Sequence, residues 1–415
     1  MIIQVGQCGN QLGNHVLTAM SGHANVFSPY FSVSDKSKLP SANAVLIDME
    51  PKVIGSLLSS SGKFNYSQNF SFFKQEGSGN NWAHGFLGHG PACKGSLTEV
   101  LRKCAEREPV SHITLFQAMG GGTGSGVGSF VCRLAREELG VGCLNVMVAP
   151  RFCGEVILQF YNSAFSLATC YEEAEGIVLL ENDTAHDVCK TSFGLKHVHI
   201  EDMNRVLGSS ILPILACSSK KSRTSGRTKN PVELIEQMTP LPSMKLLTSK
   251  FVPLTQSSMS AFQADSWSSL FSRSSHLMLA GTSEAHPNFS SKLQKKALAI
   301  EVSTYSPESL LPSNEKADAA KYYGDMRFFT PRLRKPNLDI FELEKVFDVP
   351  RAVGVIANSP EPAGLIEKIR TRAETMALEK AYVYQYEKYG LEGDTMWELF
   401  EKLKYIEDLY KGLAA

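Results

Sequence analysis

A glycine-rich segment, residues 120–126 (GGGTGSG), is the part of the sequence best suited to chemistry. It follows an apolar run that ends at Met119, and helix-like spacing through Phe130 and Leu134 follows it, so it should join a strand to a helix. Glycines allow positive φ angles and let a backbone approach a ligand closely. Successive N–H groups in such a turn, reinforced by the helix dipole, favour a bound anion. The segment therefore predicts a phosphate site, in which a side chain at Gly122 would fill the space that phosphate oxygens need.

Every residue of this segment, called the glycine-rich loop below, has a predicted part in the site. Backbone N–H groups are the main donors, and two hydroxyl groups add to them. The predicted phosphate-binding residues are Gly120, Gly121, Gly122, Thr123, Gly124, Ser125 and Gly126. A P-loop is excluded because no lysine follows the glycines, and a dinucleotide-binding turn would follow the first strand instead of the third. A flexible turn remains the alternative.

Two carboxylates and two amides stand close to other apolar runs. Asp48 and Glu50 follow the apolar residues 44–47, and carboxylates at the end of a strand suit Mg²⁺, which prefers oxygen ligands. A helix N-cap is an equally good interpretation of Asp48. Gln7 and Gln11 lie four residues apart, so they share one face of a predicted helix, where their amides can donate to phosphate oxygens. Two surface glutamines are the alternative.

The elements that must position these residues alternate between strands and helices. Leu12, Val16 and Met20 recur every four residues, which is typical of a helix. Mostly apolar runs, typical of buried parallel strands, occur at residues 2–5, 44–48, 112–119, 144–149 and 176–180. This alternation predicts a mostly parallel α/β sheet covered on both faces, with ligands beyond the carboxyl ends of the strands.

The composition excludes several classes of protein. The chain has 415 residues, enough for two or three domains, and its formal net charge is +0. The nine cysteines show no CxxC spacing, so neither a disulfide framework nor a zinc cluster is expected. No run approaches the roughly 20 apolar residues of a membrane span. We therefore expect a soluble, cytoplasmic protein that binds neither nucleic acid nor membranes.

Four motifs in this order and at this spacing resemble the signatures of the tubulin family: GQCGNQ at residues 6–11, DMEP at 48–51, GSGNNW at 77–82 and the glycine-rich loop. The resemblance covers residues 1 to about 215, about 230–254, and about 350 to the end. Within the family, residues 45–54, 75–82 and 153–157 are similar to the delta-tubulin branch.

The resemblance implies a tubulin-like fold and its ligands. It implies a Rossmann-like, parallel-sheet GTP-binding domain at residues 1–181, a core helix and α+β intermediate domain at 182–350, and a C-terminal helical hairpin at 351–415. The implied cofactors are GTP or GDP and Mg²⁺. Besides the glycine-rich loop, the implied nucleotide residues are Gly6, Gln7, Cys8, Gln11, Gly79, Asn80, Glu155, Asn182 and Asn204, and the implied metal residues are Glu50 and Asp48.

Some of these residues carry alternatives, and some positions depart from the family. Asn182 and Asn204 match the two family asparagines that form hydrogen bonds with guanine. An amide suits this role because it offers both a donor and an acceptor, and an ordinary loop or cap asparagine is the alternative. Gln159 stands where the family has a ribose-binding glutamate, and Ile200 where an aromatic ring stacks on the base. Pro213, inside a predicted helix, should kink it or end it early.

Two functions remain open. In an assembly-dependent GTPase, Glu233 would act in trans by positioning the attacking water at the next subunit, although a solvated helix glutamate is the alternative. The other function is a nucleotide-holding structural protein of the centriole, basal body or cilium. The implied partners are other tubulins through longitudinal contacts, and microtubule or centriole components. The basic residues 218–229 are interpreted as an exposed loop, with a nuclear-import signal as the alternative.

Overall fold

The computed structural model describes residues 1–22, 27, 29–33, 39–60, 62–154, 156–217, 231–254, 266–280, 296–306, 321–323, 327–328, 337–342 and 349–414. The basic segment 218–229 and Glu155 lie outside them. The chain divides into two compact units, residues 1–181 with 362–409, and residues 182–361 with 410–415. Residues 351–415, which the tubulin resemblance predicts to be a third, C-terminal helical region, are divided between the two units.

Six of the eight strands described in the first unit form a parallel sheet. The eight strands are β1 Ile2–Val5, β2 Phe31–Ser32, β3 Ser41–Ala42, β4 Ala44–Asp48, β5 Ser71–Phe73, β6 His112–Ala118, β7 Gly142–Ala149 and β8 Gly176–Glu181. The sheet order is β8-β7-β6-β1-β4-β5, and every pairing in it is parallel. Strands β2 and β3 form a separate antiparallel pair. The predicted parallel α/β sheet is confirmed.

Helices follow nearly every strand of this sheet. The described helices of the chain are α1 Gly6–Ser21, α2 Pro51–Ser59, α3 Gly90–Arg107, α4 Gly128–Leu139, α5 Gln159–Glu173, α6 Asn182–Thr191, α7 Ile200–Cys217, α8 Pro231–Met238, α9 Trp267–Ala280, α10 Pro362–Leu378, α11 Tyr384–Glu387 and α12 Gly393–Ala414. Two π-helical turns, His84–His89 and Thr123–Val127, precede α3 and α4. Helix α5 is buried along most of its length, so its polar residues need partners inside the protein.

The strand register brings the ends of β1, β4 and β6 to one edge of the sheet. Gln4 in β1 pairs with Leu46 on one side and with Phe116 on the other. Each of these strands ends one or two residues later, so the loops that follow them leave the sheet side by side. A parallel sheet of this kind binds ligands at that edge.

The second unit is built on a mixed sheet. Its strands are β9 Leu246–Val252, β10 Lys296–Ala297, β11 Ala299–Ser306, β12 Arg327–Phe328, β13 Asn337–Glu342 and β14 Ala352–Asn358. Four of them follow the order β13-β11-β14-β9, in which β14 is antiparallel to both of its neighbours. Leu270 and Phe271 of α9 pack with Val252, Val353 and Val355 in its core. This unit matches the expected α+β character.

Pro213 lies inside α7 and does not end it, because the helix continues to Cys217. Of the two predicted effects, the early end is therefore wrong, and the kink stays a prediction. A Cβ atom on Gly354 would collide with the ring of Pro213, and the Tyr305 hydroxyl donates to the Pro213 carbonyl at 3.4 Å. The proline thus fills a site shaped by a glycine of β14, and this close packing offsets the helix hydrogen bond that proline cannot make.

Among the helices that the structure describes, none combines the length and the apolar composition needed to cross a membrane.

Candidate functional site

Loops from four strands of the first unit meet at the carboxyl edge of its sheet. Gly6 has a φ of +73°, and a Cβ atom on it would lie 2.9 Å from the Gly124 nitrogen. Only glycine combines this φ with so close an approach, so residues 6–11 and the glycine-rich loop are held in direct contact. A Cβ atom on Gly77 would lie 2.8 Å from Glu50 Oε1. The four motifs found in the sequence therefore converge in space.

The glycine-rich loop uses its glycines for close packing. The positive φ angles that we expected there are absent: Gly122, for example, has φ −78° and ψ −46°. A Cβ atom on Gly122 would lie 2.7 Å from both the Asn81 nitrogen and the Ser78 carbonyl oxygen. The expectation that a side chain here would fill the phosphate space is therefore wrong, because it would collide with the loop of residues 77–82, called the Asn80 loop below.

Gly121 differs from the other glycines of the loop. The nearest atom to a Cβ placed on it is Asn80 Oδ1, at 3.9 Å, and no other atom of the described residues lies within 4 Å outside its chain neighbours. A side chain there would enter open space at the edge of the sheet without a clash. Because backbone N–H groups at a glycine turn bind anions, this open space beside Gly121 and Asn80 is the candidate phosphate position.

The hydroxyl groups of the loop are used within the protein. The buried Ser125 hydroxyl donates to the Gly121 carbonyl, and Thr123 Oγ1 lies 3.2 Å from Ser78 Oγ. We expected both as phosphate donors. In this structure they instead connect the turns of the loop and tie it to the Asn80 loop, so backbone N–H groups are left as the main phosphate donors.

Asn162 of α5 holds the two loops together. Its Nδ2 donates to the carbonyl oxygens of Asn80 and Gly120, both at 2.8 Å. Its Oδ1 accepts from the backbone nitrogen of Trp82 at 2.8 Å and from the Tyr386 hydroxyl at 2.7 Å. All four hydrogen-bonding positions of the amide are thereby filled in a fully buried setting. The resemblance to tubulins places Asn162 on the segment that meets the ribose, whereas in this structure its amide is used entirely within the protein.

Gln159 does not point towards a ligand. Its side chain is buried, and Nε2 donates to the Arg151 carbonyl at 2.9 Å. Its Oε1 would lie 2.5 Å from a Cβ atom on Gly154. The glutamine therefore fastens the loop that follows β7 through one hydrogen bond, and a ribose contact through its Nε2 would compete with that bond. Glu155, the predicted nucleotide residue in that loop, lies outside the described residues.

The two predicted metal residues stand at the end of β4. Asp48 is buried, and its Oδ1 accepts from the nitrogens of Met49 at 2.8 Å and of Glu50 at 3.3 Å. The N-cap position of α2 belongs to Glu50, so the N-cap interpretation of Asp48 is wrong. The part of the chain that the structure describes holds no group of three or more His, Cys, Asp or Glu able to bind a metal. Mg²⁺ at these two carboxylates would therefore need phosphate oxygens and water as further ligands.

Replacing Asp48 by asparagine should stabilise the protein at neutral pH when Mg²⁺ and nucleotide are absent. Burial raises the pKa of the Asp48 carboxyl from 3.8 to about 6, so the native state holds this proton more tightly than the unfolded chain does. The resulting stability is fully present below the unfolded pKa and is lost as the pH rises through 6. The asparagine variant should gain about 1–3 kcal/mol at pH 7.5 and almost nothing at pH 4.

Chemical denaturation in EDTA at both pH values measures this difference. Asparagine keeps the Oδ1 that accepts from the same two N–H groups, and it replaces the other carboxylate oxygen by an uncharged NH2 group. An equal gain at both pH values would show that the effect has another origin.

Helix α1 carries the predicted residues of the first loop. Gln7 is exposed, and Gln11 and Cys8 are partly buried, so the two amides remain on one accessible face as expected. Desolvation raises the pKa of the Cys8 thiol to about 12. A neutral thiol of this kind suits a packing contact near a ligand.

The remaining predicted residues belong to the second unit. Asn182 begins α6 and is partly buried, and Asn204 of α7 is buried. Glu233 is exposed in the first turn of α8, whose buried face is formed by Leu234, Ile235 and Met238. The roles assigned to Asn182, Asn204 and Glu233 stay predictions.

Comparison with known proteins gives one family. Residues 1–190 match the Tubulin/FtsZ family, GTPase domain. The tubulin delta chain of Homo sapiens is 27% identical over 449 residues, which cover 99% of this chain and 99% of that relative. The delta chain of Mus musculus is also 27% identical, over 99% of this chain and 98% of the relative. The tubulin beta-1 chain of Hypocrea rufa is 26% identical over 63% of this chain and 62% of that relative.

Proposed function

Because residues 1–190 match the Tubulin/FtsZ GTPase domain and the whole chain is similar to tubulin delta chains, we propose that it is a tubulin-family cytoskeletal subunit that binds GTP or GDP at the glycine-rich loop. The observation that carries this proposal is the open space beside Gly121, where loops from four strands converge. The match of residues 1–190 to a GTPase domain supports a guanine nucleotide as the ligand. A Cβ atom at this glycine would enter the space without meeting the protein, as expected of a cradle shaped for a ligand.

The residues of the first unit have distinct parts in this binding. The N–H groups of the glycine-rich loop bind phosphate oxygens, and the N-terminal end of the following helix adds partial positive charge. Asn162 fixes the distance between this loop and the Asn80 loop. Glu50 and Asp48 would hold Mg²⁺, which neutralises phosphate charge when it is bound.

Purified protein is expected to carry guanine nucleotide. The match to a GTPase domain supports guanine as the base, and the open space beside Gly121 supports a bound phosphate, so the nucleotide should stay bound through purification. Heat denaturation followed by chromatography of the supernatant measures the nucleotide released. Adenine nucleotide in the supernatant, or no binding at saturating GTP, would contradict the proposal.

A second candidate is an assembly-dependent GTPase that forms or caps a microtubule-type polymer. The observation that favours it is the exposure of Glu233 on α8, since a residue that completes the site of a neighbouring subunit must be free at the surface. Phosphoryl transfer depends mainly on positioning and charge. One carboxylate from the neighbouring subunit can therefore determine whether the site hydrolyses GTP.

The full-length likeness to tubulin delta chains supports a more specific placement. In this proposal the protein works with other tubulins in the organisation of centriole or basal-body microtubules and in cilium assembly. Light microscopy of a tagged protein in ciliated cells tests it, and a signal without centriolar enrichment would contradict it.

A further inference from the structure

A C-terminal segment of the first unit, residues 380–390 between α10 and α12, contacts the Asn80 loop and two elements next to it at three places. The Tyr386 hydroxyl donates to Asn162 Oδ1 at 2.7 Å. The Gln385 carbonyl accepts from Asn81 Nδ2 at 3.1 Å. The Tyr389 ring stacks on His84, with centroids 4.2 Å apart and an interplanar angle of 9°. Each contact reaches the Asn80 loop, the π-helical turn that follows it, or the asparagine that holds the loop.

The contact through Tyr386 is the most direct of the three. Tyr386 is fully buried, and its ring packs edge-to-face against Tyr161 at 5.2 Å and Phe165 at 5.5 Å. Its hydroxyl occupies one of the two acceptor positions on Asn162 Oδ1, and the Trp82 nitrogen occupies the other. A single buried amide therefore joins the C-terminal segment to the carbonyl groups of Asn80 and Gly120.

Both ends of this chain of contacts hold uncommon backbone conformations. Asn80 has a φ of 50°, and Lys380 and Tyr382 have φ values of 53° and 59°. Residues other than glycine rarely adopt positive φ, and they do so where the surrounding contacts enforce it. The segment also presents Tyr384, which is 65% exposed. The segment therefore extends from the contacts with Asn162 and the Asn80 loop to the protein surface.

We propose that Asn162 and Tyr386 are positioning residues that make binding of the terminal phosphate and the conformation of residues 380–390 depend on each other. The inference rests on the proposed nucleotide function and adds to it a specificity for triphosphate over diphosphate. Asn80 Oδ1 borders the open space beside Gly121, and in this proposal the terminal phosphate occupies that space. Bound GTP then fixes the Asn80 loop, which keeps Asn162 in place for Tyr386. With GDP the loop lacks that ligand contact, so the C-terminal segment is held less firmly.

Tyr386→Phe tests the proposal, because it removes the hydroxyl and keeps the packed ring. It should speed the dissociation of a fluorescent, non-hydrolysable GTP analogue by about 3- to 10-fold, the effect of one lost hydrogen bond. Dissociation of the matching GDP analogue should change less than about twofold. Tyr30→Phe is the matched control, because it removes another buried hydroxyl of the first unit, 3.3 Å from His112 Nε2, away from the phosphate loops.

A second measurement needs no substitution. In the wild-type protein, amides of residues 380–390 should exchange hydrogen more slowly with the GTP analogue than with GDP. Equal exchange, or a variant with an unchanged ratio of GTP to GDP dissociation rates, overturns the coupling while leaving nucleotide binding established. A wild-type protein that binds neither nucleotide would instead overturn the proposed function, and the coupling with it. A merely structural role for Tyr386 would lower the melting temperature and speed both dissociation rates equally.

Discussion

A Gly121→Ala variant is expected to fold normally and to bind GTP about 10- to 150-fold more weakly, the range for losing one hydrogen bond to a charged group. The added methyl group would meet only Asn80 Oδ1, at 3.9 Å, so the native fold can accept it. It would, however, occupy the space in which phosphate oxygens approach the backbone N–H groups. Titration with a fluorescent GTP analogue measures the loss, and thermal denaturation without nucleotide checks the fold.

Two other glycines provide matched controls. Gly95 lies exposed in α3 with no neighbour near an added Cβ, so Gly95→Ala should leave affinity unchanged and slightly favour the helix. At Gly122 the Cβ would lie 2.7 Å from backbone atoms of Ser78 and Asn81, so Gly122→Ala should destabilise the fold by about 1–3 kcal/mol. If Gly121→Ala binds GTP as tightly as Gly95→Ala does, the phosphate position is wrong.

The first sheet could be predicted from the sequence because its strands are buried on both faces. Such strands appear as uninterrupted apolar runs, as in Ala44–Asp48 and Gly176–Glu181. Strand β5, Ser71–Phe73, has three residues and only partial burial, so no such run marks it. The strands of the second unit alternate with serine-rich stretches in residues 255–330. In those residues the hydrophobic periodicity is too weak to predict helices or strands.

The candidate site could be predicted where one short segment of the sequence contains the residues that form it. Glycines that must approach another loop concentrate in residues 120–126 and at Gly6, and composition alone identifies them. The contact between Asn162 and Tyr386 joins residues 224 positions apart, so no local pattern could reveal it. Ser125 shows a further limit: its type predicts a donor to the ligand, and only the fold shows that the Gly121 carbonyl already accepts its hydrogen.

Glu233→Ala is expected to abolish most hydrolysis in assembled protein and to spare GTP binding by the isolated subunit. Glu233 is exposed in the first turn of α8, whereas Leu234, Ile235 and Met238 anchor that helix, so the substitution should not disturb the fold. Losing a group that orients the attacking water costs about 10²–10⁴-fold in rate. Single-turnover hydrolysis in assemblies and nucleotide titration of monomers measure the two quantities separately.

Glu236→Ala is the matched control, because Glu236 is also exposed on the same helix, and it should change neither quantity. A sharper test mixes two defective subunits. A Glu233→Ala subunit still binds GTP, and a Gly121→Ala subunit binds it poorly and keeps Glu233. If Glu233 acts in trans, hydrolysis should reappear in mixed assemblies, where the second subunit contributes its glutamate to GTP held by the first. If the mixed assemblies still fail to hydrolyse GTP, or if Glu236→Ala loses as much hydrolysis as Glu233→Ala does, Glu233 is a solvated helix residue. Either result would favour a structural protein that holds its nucleotide without turnover.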